Sequence, residues 1–172
     1  MSTHTDPNVL YLRRLLRDLV ALSGVPGVWV GREPSAIVAD FADLLVASLE
    51  VDSAFVRLCD PKGGAAVETA RGKPWPALLE WLQPSLTDGG SLLRSASVPG
   101  ISDGARAGRG MVIPIGVNAE LGLVAVTSDR PDFPGEIDQL LLSVATNHAA
   151  TAVRMARLVE DHRRAEAALR ES

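Results

Sequence analysis

A regular spacing of mostly apolar side chains near the end of the sequence constrains the fold of this chain most. From Ile137 onward, alternating steps of four and three residues reach a series of positions without a break: Ile137, Leu141, Val144, His148, Thr151, Met155, Leu158, His162, Ala165 and Leu169. A repeat of about 3.5 residues is the spacing of a coiled-coil seam. We therefore predict one long helix over residues 133–172.

The two halves of this helix differ in character. A second set of small and apolar side chains widens the stripe in the first half: Leu140, Ala145, Ala149, Ala152, Ala156 and Val159. A wide stripe is typical of packing on a globular body, whereas a narrow seam flanked by charges is typical of pairing with another helix. We predict that the first half packs on the domain and the second half leaves it. Because no Gly, Asn or Pro follows Leu169, we expect the helix to continue beyond Ser172.

Composition limits the classes of protein to consider. The 172 residues, 47% of them hydrophobic, suffice for one domain with a full core. The net charge of −4 disfavours nucleic acid as a partner. Because Cys59 is the only cysteine, an intrachain disulfide and a cysteine-ligated metal site are excluded. We expect no secretory leader, because the N-terminal residues lack an early basic region and a clean apolar run, and no apolar run in the sequence is long enough to span a bilayer. We expect a cytoplasmic protein without cofactor or metal, with no nucleic-acid partner and no membrane contact.

The order of predicted elements indicates an α+β fold. Asp6 and Pro7 begin a first helix, and Pro34 begins a second that ends near Leu49. Strands are predicted over residues 53–60, 65–71, 92–98, 111–117 and 121–127, with a short helix over 75–82 and a glycine-rich loop over 99–110. We expect an antiparallel sheet of five or six strands, with the terminal helices on one face and the short helix and loops over a pocket on the other. The corresponding segments are an N-terminal helix and connector (1–32), the main domain (33–156) and the start of a signalling helix (157–172).

Three stretches carry a family resemblance: SAFVRLCDP, MVIPIGVNAELGLVAVTS and FPGEIDQLLLSVATNHAATAVRMARLVEDH. Together they resemble a GAF domain over roughly residues 16–162. The resemblance implies a six-stranded antiparallel sheet in the order 2-1-5-4-3-6, or a five-stranded variant. It also implies a regulatory input domain, often dimeric, with or without a small ligand. The tail RLVEDHRRAEAALRES resembles the linker helix that joins GAF domains to PAS or histidine-kinase modules in bacterial sensors.

Several specialised activities of GAF domains do not fit these residues. The cyclic-nucleotide signature is absent, since Ala119 follows Asn118 and the acidic residues after Phe133 have the wrong spacing. A bilin attachment site needs a Cys beside a His, and Cys59 has no such neighbour. Methionine sulfoxide reduction needs a second Cys for resolution. Haem needs an axial ligand, and the histidines lie at the N-terminus or on the long helix.

The remaining candidate site is an effector pocket on the sheet. Strand alternation places Phe55, Arg57 and Cys59 on the face away from the helices. Side chains of the short helix, the third strand, the loop and the fourth strand complete the predicted lining: Trp75, Trp81, Arg94, Arg106, Arg109, Met111 and Ile113. Arginines beside aromatic rings suit an anionic aromatic or carboxylate ligand. In the alternative, the tryptophans are core residues and the arginines are paired with acids or solvated.

The narrow seam predicts a parallel homodimer through the terminal helices. Its interface residues are predicted to be Leu12, Leu16, Leu19, His148, Met155, Leu158, His162, Ala165 and Leu169. His148 and His162 occupy the same seam position, so each would face its own copy. Because two imidazolium groups repel each other, we expect the dimer to weaken at low pH. In the alternative, His148 packs within its own domain and His162 points to water.

The sequence thus predicts a sensory or relay domain of a bacterial signal-transduction protein, with a sensor histidine kinase as the favoured parent. Two alternatives remain, an effector-binding domain of a transcription regulator and, more distantly, a redox enzyme with a GAF fold. No nucleophile–base pair or metal cluster is recognisable in the sequence. We therefore expect no enzymatic activity from this chain itself.

Overall fold

The computed structural model describes residues 6–23, 29–73, 81–83, 94–98 and 108–172, with the side chains of 18, 19, 21–23 and 94–98 left out. Its helices are α1 (Pro7–Ser23), α2 (Pro34–Leu49) and α3 (Glu136–Glu171). Its strands are β1 (Ser53–Leu58), β2 (Val67–Gly72), β3 (Arg94–Val98), β4 (Gly108–Ile115) and β5 (Gly122–Ser128). The predicted α+β class is confirmed.

The strands form one antiparallel sheet in the order β2-β1-β5-β4-β3. β1 and β5 occupy central positions, and both are buried almost throughout. The residues at their ends are paired as well, since the hydroxyl groups of Ser53 and Thr127 lie 2.5 Å apart. Of the predicted short helix, residues 81–83 are described and are helical.

The main core lies between one sheet face and two helices. On the sheet side it contains Ala54 and Val56 of β1 with Val124 and Val126 of β5. Against them pack apolar side chains of α2 and of the first half of α3: Ile37, Val38, Phe41, Leu45, Leu49, Leu141, Leu142, Ala145, Ala149, Ala152 and Val153. Of the second apolar set of α3, Ala145, Ala149 and Ala152 are buried in this core and Ala156 packs against it, as the width of the stripe predicted, whereas Leu140 is exposed.

The N-terminal helix is placed differently from the expectation. The helical layer on the sheet is made by α2 and α3, whereas α1 packs mainly against α3. Asp6 caps α1 by accepting a hydrogen bond from the Asn8 N–H at 3.0 Å, as predicted. Leu15 packs against the main core, while Leu12 and Leu16 are exposed. The physical reason is that a single apolar stripe can cover either a sheet or a neighbouring helix, and α2 already occupies the sheet.

Helix α3 crosses the predicted domain boundary at residues 156–157 without interruption. At about 1.5 Å per residue, its 36 residues extend over about 54 Å. Its buried residues end at Val153, and every side chain from Glu160 onward is exposed. No helix in the described part of the chain combines the length and hydropathy needed to cross a bilayer.

Candidate ligand-binding site

A second, smaller apolar cluster covers the sheet face that α2 and α3 leave free. Its buried residues come from β1, β4, β5 and the short helix: Phe55, Leu82, Val112, Leu123 and Ala125. Trp81 packs against them and is partly buried. The strand register explains this grouping, because Ala125 is the cross-strand partner of both Phe55 and Val112. Phe55 thus lies on the predicted face.

Arg57 also follows the predicted alternation, but its charge is already matched. Its Nη1 lies 3.4 Å from Oε2 of Glu68, its register partner on β2. The two side chains are 31% and 46% exposed, so water screens the pair. An anion would have to compete with Glu68 for this guanidinium. We therefore expect Arg57→Ala to reduce the binding free energy of an anionic ligand by less than the about 2–5 kcal/mol that a desolvated ion pair contributes.

Met111 and Ile113 were assigned to the wrong face. Both are buried in the main core beneath the helices, opposite Val126 and Val124 of β5. The intervening residue Val112 faces the smaller cluster. Because β4 is buried on both faces, its sequence carries no alternation of polar and apolar residues from which the facing could be deduced.

Only part of the remaining predicted lining falls on described residues. Arg109 is exposed and lies two residues before Met111, which puts it on the helix-covered side of the sheet near the start of β4. Arg94 pairs with Val112 in the register, and its side chain lies outside the described part. Trp75 and Arg106 lie outside the described residues. The predicted pocket beneath residues 99–110 therefore stays a prediction.

Cys59 lines a different feature, a cleft beside α3. The cleft has a volume of about 550 Å³, a size typical of small-molecule sites. It lies between residues 31–37, the β1–β2 connection at 58–67, and residues 153–164 of α3. The backbone carbonyl of Cys59 accepts a hydrogen bond from Arg157 Nη2 at 2.5 Å.

Arg157 is the functional candidate that the sequence did not reveal. It is half-buried in the wall of the cleft and ties α3 to the end of β1. One turn earlier, Arg154 Nη2 lies 2.5 Å from Glu120 Oε1, beyond the end of β4. The neighbouring Ala156 and Val159 belong to the second apolar set, which signalled that this helix face meets the domain. Nothing in the spacing pointed to Cys59, since the partners are 98 residues apart.

The predicted dimer residues are distributed along two helices. On the outer half of α3, Met155, Leu158, His162, Ala165 and Leu169 are exposed, and on α1 so are Leu12 and Leu16. His148 is half-buried in the inner half of α3. The side chain of Leu19 lies outside the described part. The dimer itself stays a prediction.

The described residues include two surfaces that could bind a ligand, the smaller apolar cluster and the cleft beside α3. Within them, no three His, Cys, Asp or Glu side chains are grouped so as to hold a metal ion. Half-buried guanidinium groups and apolar walls instead suit the recognition of a small organic anion.

Comparison with known proteins shows the fold of this chain. No family model and no curated protein matches the chain. Among solved structures, the GAF domain of a predicted sensor histidine kinase from Pseudomonas syringae pv. tomato is 14% identical with a TM-score of 0.59, covering 90% of this chain and 94% of that one. The GAF domain of a phosphoenolpyruvate-protein phosphotransferase from Coxiella burnetii is 14% identical with a TM-score of 0.58, covering 87% and 98%. A free methionine-R-sulfoxide reductase from Neisseria meningitidis, in complex with its substrate, is 14% identical with a TM-score of 0.54, covering 91% and 96%. The chain therefore has the GAF fold.

Proposed function

We propose that this chain is a cytoplasmic sensory or relay module of a bacterial signal-transduction protein of the sensor histidine kinase class. Its output is helix α3, paired in parallel with the α3 of a second copy. The observation that carries this proposal is the division of α3 into a half buried in the domain and an exposed half with an apolar seam. The chain itself catalyses no reaction.

The contacts of α3 make it a suitable output element. The inner half of α3 is buried in the domain through side chains such as Asp138, Leu142 and Ala149. Near the midpoint of α3, Arg154 contacts the β4–β5 turn and Arg157 contacts the end of β1. A shift in the sheet therefore reaches the exposed half through a rigid helix. Rotation or sliding of packed helices is a common way for such modules to switch.

The exposed seam supports pairing with a second copy. Met155, Leu158 and Leu169 present large apolar side chains to solvent at a coiled-coil spacing. Leu12 and Leu16 add exposed apolar surface on α1, which packs against α3. The GAF domain of a predicted sensor histidine kinase has the same fold, which is consistent with this role.

A chimera tests transmission through α3. We would fuse the chain through α3 to the catalytic core of a histidine kinase and measure autophosphorylation with labelled ATP. Two residues inserted after Arg164 rotate the downstream helix by about 200°, whereas seven residues restore its phase to within about 20°. We expect the two-residue insertion to change activity and the seven-residue insertion to return it toward the parent value.

The controls separate relay from kinase chemistry. The same two or seven residues added before the kinase core without this chain should leave its activity unchanged, and the chain alone should incorporate no label. Equal activity of the two insertion chimeras would contradict transmission through α3. Label incorporation by the chain alone would contradict the statement that it is not an enzyme.

A further inference from the structure

The cleft beside α3 is separate from the sheet face on which an effector was predicted. All of its lining residues belong to the described part of the chain. It opens between α3, the start of α2 and the β1–β2 connection, on the helix-covered side of the sheet. It is therefore a second candidate site with its own chemistry.

The floor of the cleft is hydrocarbon. Ile37, Leu58 and Val153 are buried members of the main core that reach the cleft from three different elements. Val67 and Ala156 are half-buried beside them. An apolar ligand group placed here would gain free energy in proportion to the area it removes from water.

Arg157 is the one charged residue of the lining that is half-buried; the other charged lining residues are exposed. Its described partner is the neutral carbonyl of Cys59. A guanidinium has five N–H donors, and a carboxylate can accept two of them at once. A partly desolvated cation with a neutral partner has a strong electrostatic preference for an anion.

The other charges of the cleft limit the charge of that anion. The lining contains five cationic side chains (Arg32, Lys62, Arg157, Arg163 and Arg164) and four anionic ones (Glu33, Asp60, Glu160 and Asp161). Arg32 is paired with Asp40 and Arg164 with Glu160. With both ion pairs set aside, three cationic and three anionic side chains remain, so the cleft has no excess positive charge. A monoanion on Arg157 adds a single negative charge, whereas a phosphate dianion would add two and meet stronger repulsion from the surrounding carboxylates.

We propose that the cleft binds a small amphipathic monocarboxylate, with its carboxylate on the Arg157 guanidinium and its hydrocarbon part on Ile37, Leu58 and Val153. The ligand binds the same guanidinium that holds the Cys59 carbonyl and so acts on a contact that ties α3 to the sheet. Its binding does not depend on the proposed relay function. That function would give binding a consequence, through the position of α3.

A titration of the full chain tests this proposal without any readout of signalling. The probe is hexanoate, followed by amide shifts of the ¹⁵N-labelled protein at constant pH and ionic strength. We expect saturable shifts confined to residues 31–37, 58–67 and 153–164. Hexanamide, which has the same hydrocarbon part and no charge, should bind about tenfold more weakly, as expected when a charge-assisted hydrogen bond is lost.

Three variants locate the site. Arg157→Gln should weaken hexanoate binding about tenfold and leave hexanamide binding unchanged. Arg154→Gln removes a neighbouring arginine outside the cleft and should leave both affinities unchanged. Ala156→Leu fills the cleft from α3, retains Arg157, and should weaken both ligands, which keeps the test open if Arg157→Gln does not fold.

The contrary outcomes are equally specific. Equal affinity for hexanoate and hexanamide would overturn the role of Arg157. Shifts confined to the surface around Phe55, or no saturable shift up to about 10 mM hexanoate, would overturn the site. If hexanoate binds in the cleft but does not change autophosphorylation of the kinase chimera, the binding site is supported and the relay function is contradicted.

Discussion

Arg130 Nη2 donates a hydrogen bond to Asp138 Oδ1 at 2.7 Å, which joins the segment after β5 to the first turn of α3. The second carboxylate oxygen of Asp138 accepts a hydrogen bond from the Gly135 N–H at 2.9 Å. Asp138 is only 8% exposed, and the Arg130 guanidinium also lies 5.4 Å from the centroid of the Phe133 ring. One buried carboxylate thus fixes where α3 begins relative to the sheet.

Replacing this carboxylate should destabilise the domain. Asp138→Ala removes both hydrogen bonds and leaves Arg130 without its closest carboxylate, so we expect a loss of about 2–3 kcal/mol in the free energy of unfolding. Denaturant titration measures the loss. Glu136→Ala, an exposed change in the same helical turn, should cost less than about 1 kcal/mol. Equal losses in the two variants would show that Asp138 acts only as a negative charge near the helix N-terminus.

Asp52 should make stability depend on acid pH. Burial raises the pKa of its carboxyl, but the hydrogen bond from the Asp129 N–H at 2.7 Å and the Lys73 ammonium at 3.2 Å outweigh that effect and lower the pKa below its usual 3.8. Because the pKa of Asp52 is lower in the folded state, its ionised carboxylate stabilises the fold at pH values above the unfolded-state pKa. This stabilisation is lost as pH falls through the folded-state pKa.

The measurement is the free energy of unfolding at pH 7, 5 and 3. The parent should lose more stability below about pH 4 than Asp52→Asn does, because the variant has no proton to take up at this position. Glu171→Gln, an exposed change at the end of α3, should follow the parent profile. Parallel profiles for the parent and Asp52→Asn would refute the assignment.

Glu50 combines an ion pair with a conformation that L-residues adopt at a cost. It ends α2 with φ of 51°, in the left-handed region, and its carboxylate pairs with Arg14 of α1. The hydrogen bond from Arg14 is the main cause that lowers the pKa of Glu50. The ion pair therefore stabilises the fold at pH values above the unfolded-state pKa of 4.5, and this stabilisation is lost as pH falls through the lowered folded-state pKa. Salt weakens it, because both side chains are exposed.

Two substitutions separate these effects. Glu50→Gln keeps the backbone and should cost at most about 0.5 kcal/mol at low salt. Glu50→Gly loses the same ion pair and relieves the strain, so it should be about 1 kcal/mol more stable than Glu50→Gln. Denaturant titrations give both values, and a glycine variant less stable than the glutamine variant would show that the left-handed conformation carries no strain.

The apolar seam of α3 should control association. Leu158 is 68% exposed and lies in the seam, whereas Leu140 is 49% exposed and lies outside it. We expect Leu158→Glu to yield monomers in sedimentation equilibrium at pH 8, and Leu140→Glu to leave the dimer intact. At a protein concentration where the parent is monomeric, both variants should have the same free energy of unfolding as the parent. Identical association in the two variants would remove the seam from the interface.

Protonation of the seam histidines should weaken the same dimer. The parent should associate less tightly at pH 5 than at pH 8, and His162→Gln should reduce that difference because position 162 then carries no charge. His148 is half-buried against its own domain and should contribute less. A dimer equally tight at both pH values would support the alternative in which His162 points only to water.

The features that could be predicted from the sequence are those with a local period. The 3.6-residue stripe and Pro34 gave α2 its observed bounds, and the alternation in β1 placed Phe55 and Arg57 on one face and Ala54 and Val56 on the other. The wide stripe of α3 similarly marked the surface that the domain buries. In each case the residues within the helix or strand itself determine which of its faces is apolar.

The errors arose where the answer depends on residues far apart in the sequence. Met111 and Ile113 lie in a strand buried on both faces, so only the register with β5 determines their side. The cleft beside α3 is built from three segments that no local pattern connects, and Arg157 and Cys59 are 98 residues apart in the sequence.

The most direct test of the central claim, that two α3 helices run side by side as the output of the module, is an inter-chain distance measurement. Spin labels would be placed at Asp161→Cys or Ala168→Cys in a Cys59→Ser background, at exposed positions one heptad apart. Parallel pairing at a helix separation of 8–10 Å predicts a similar distance, below roughly 30 Å, for both labels. Clearly different distances at the two positions, or no dipolar coupling between chains, would contradict the account.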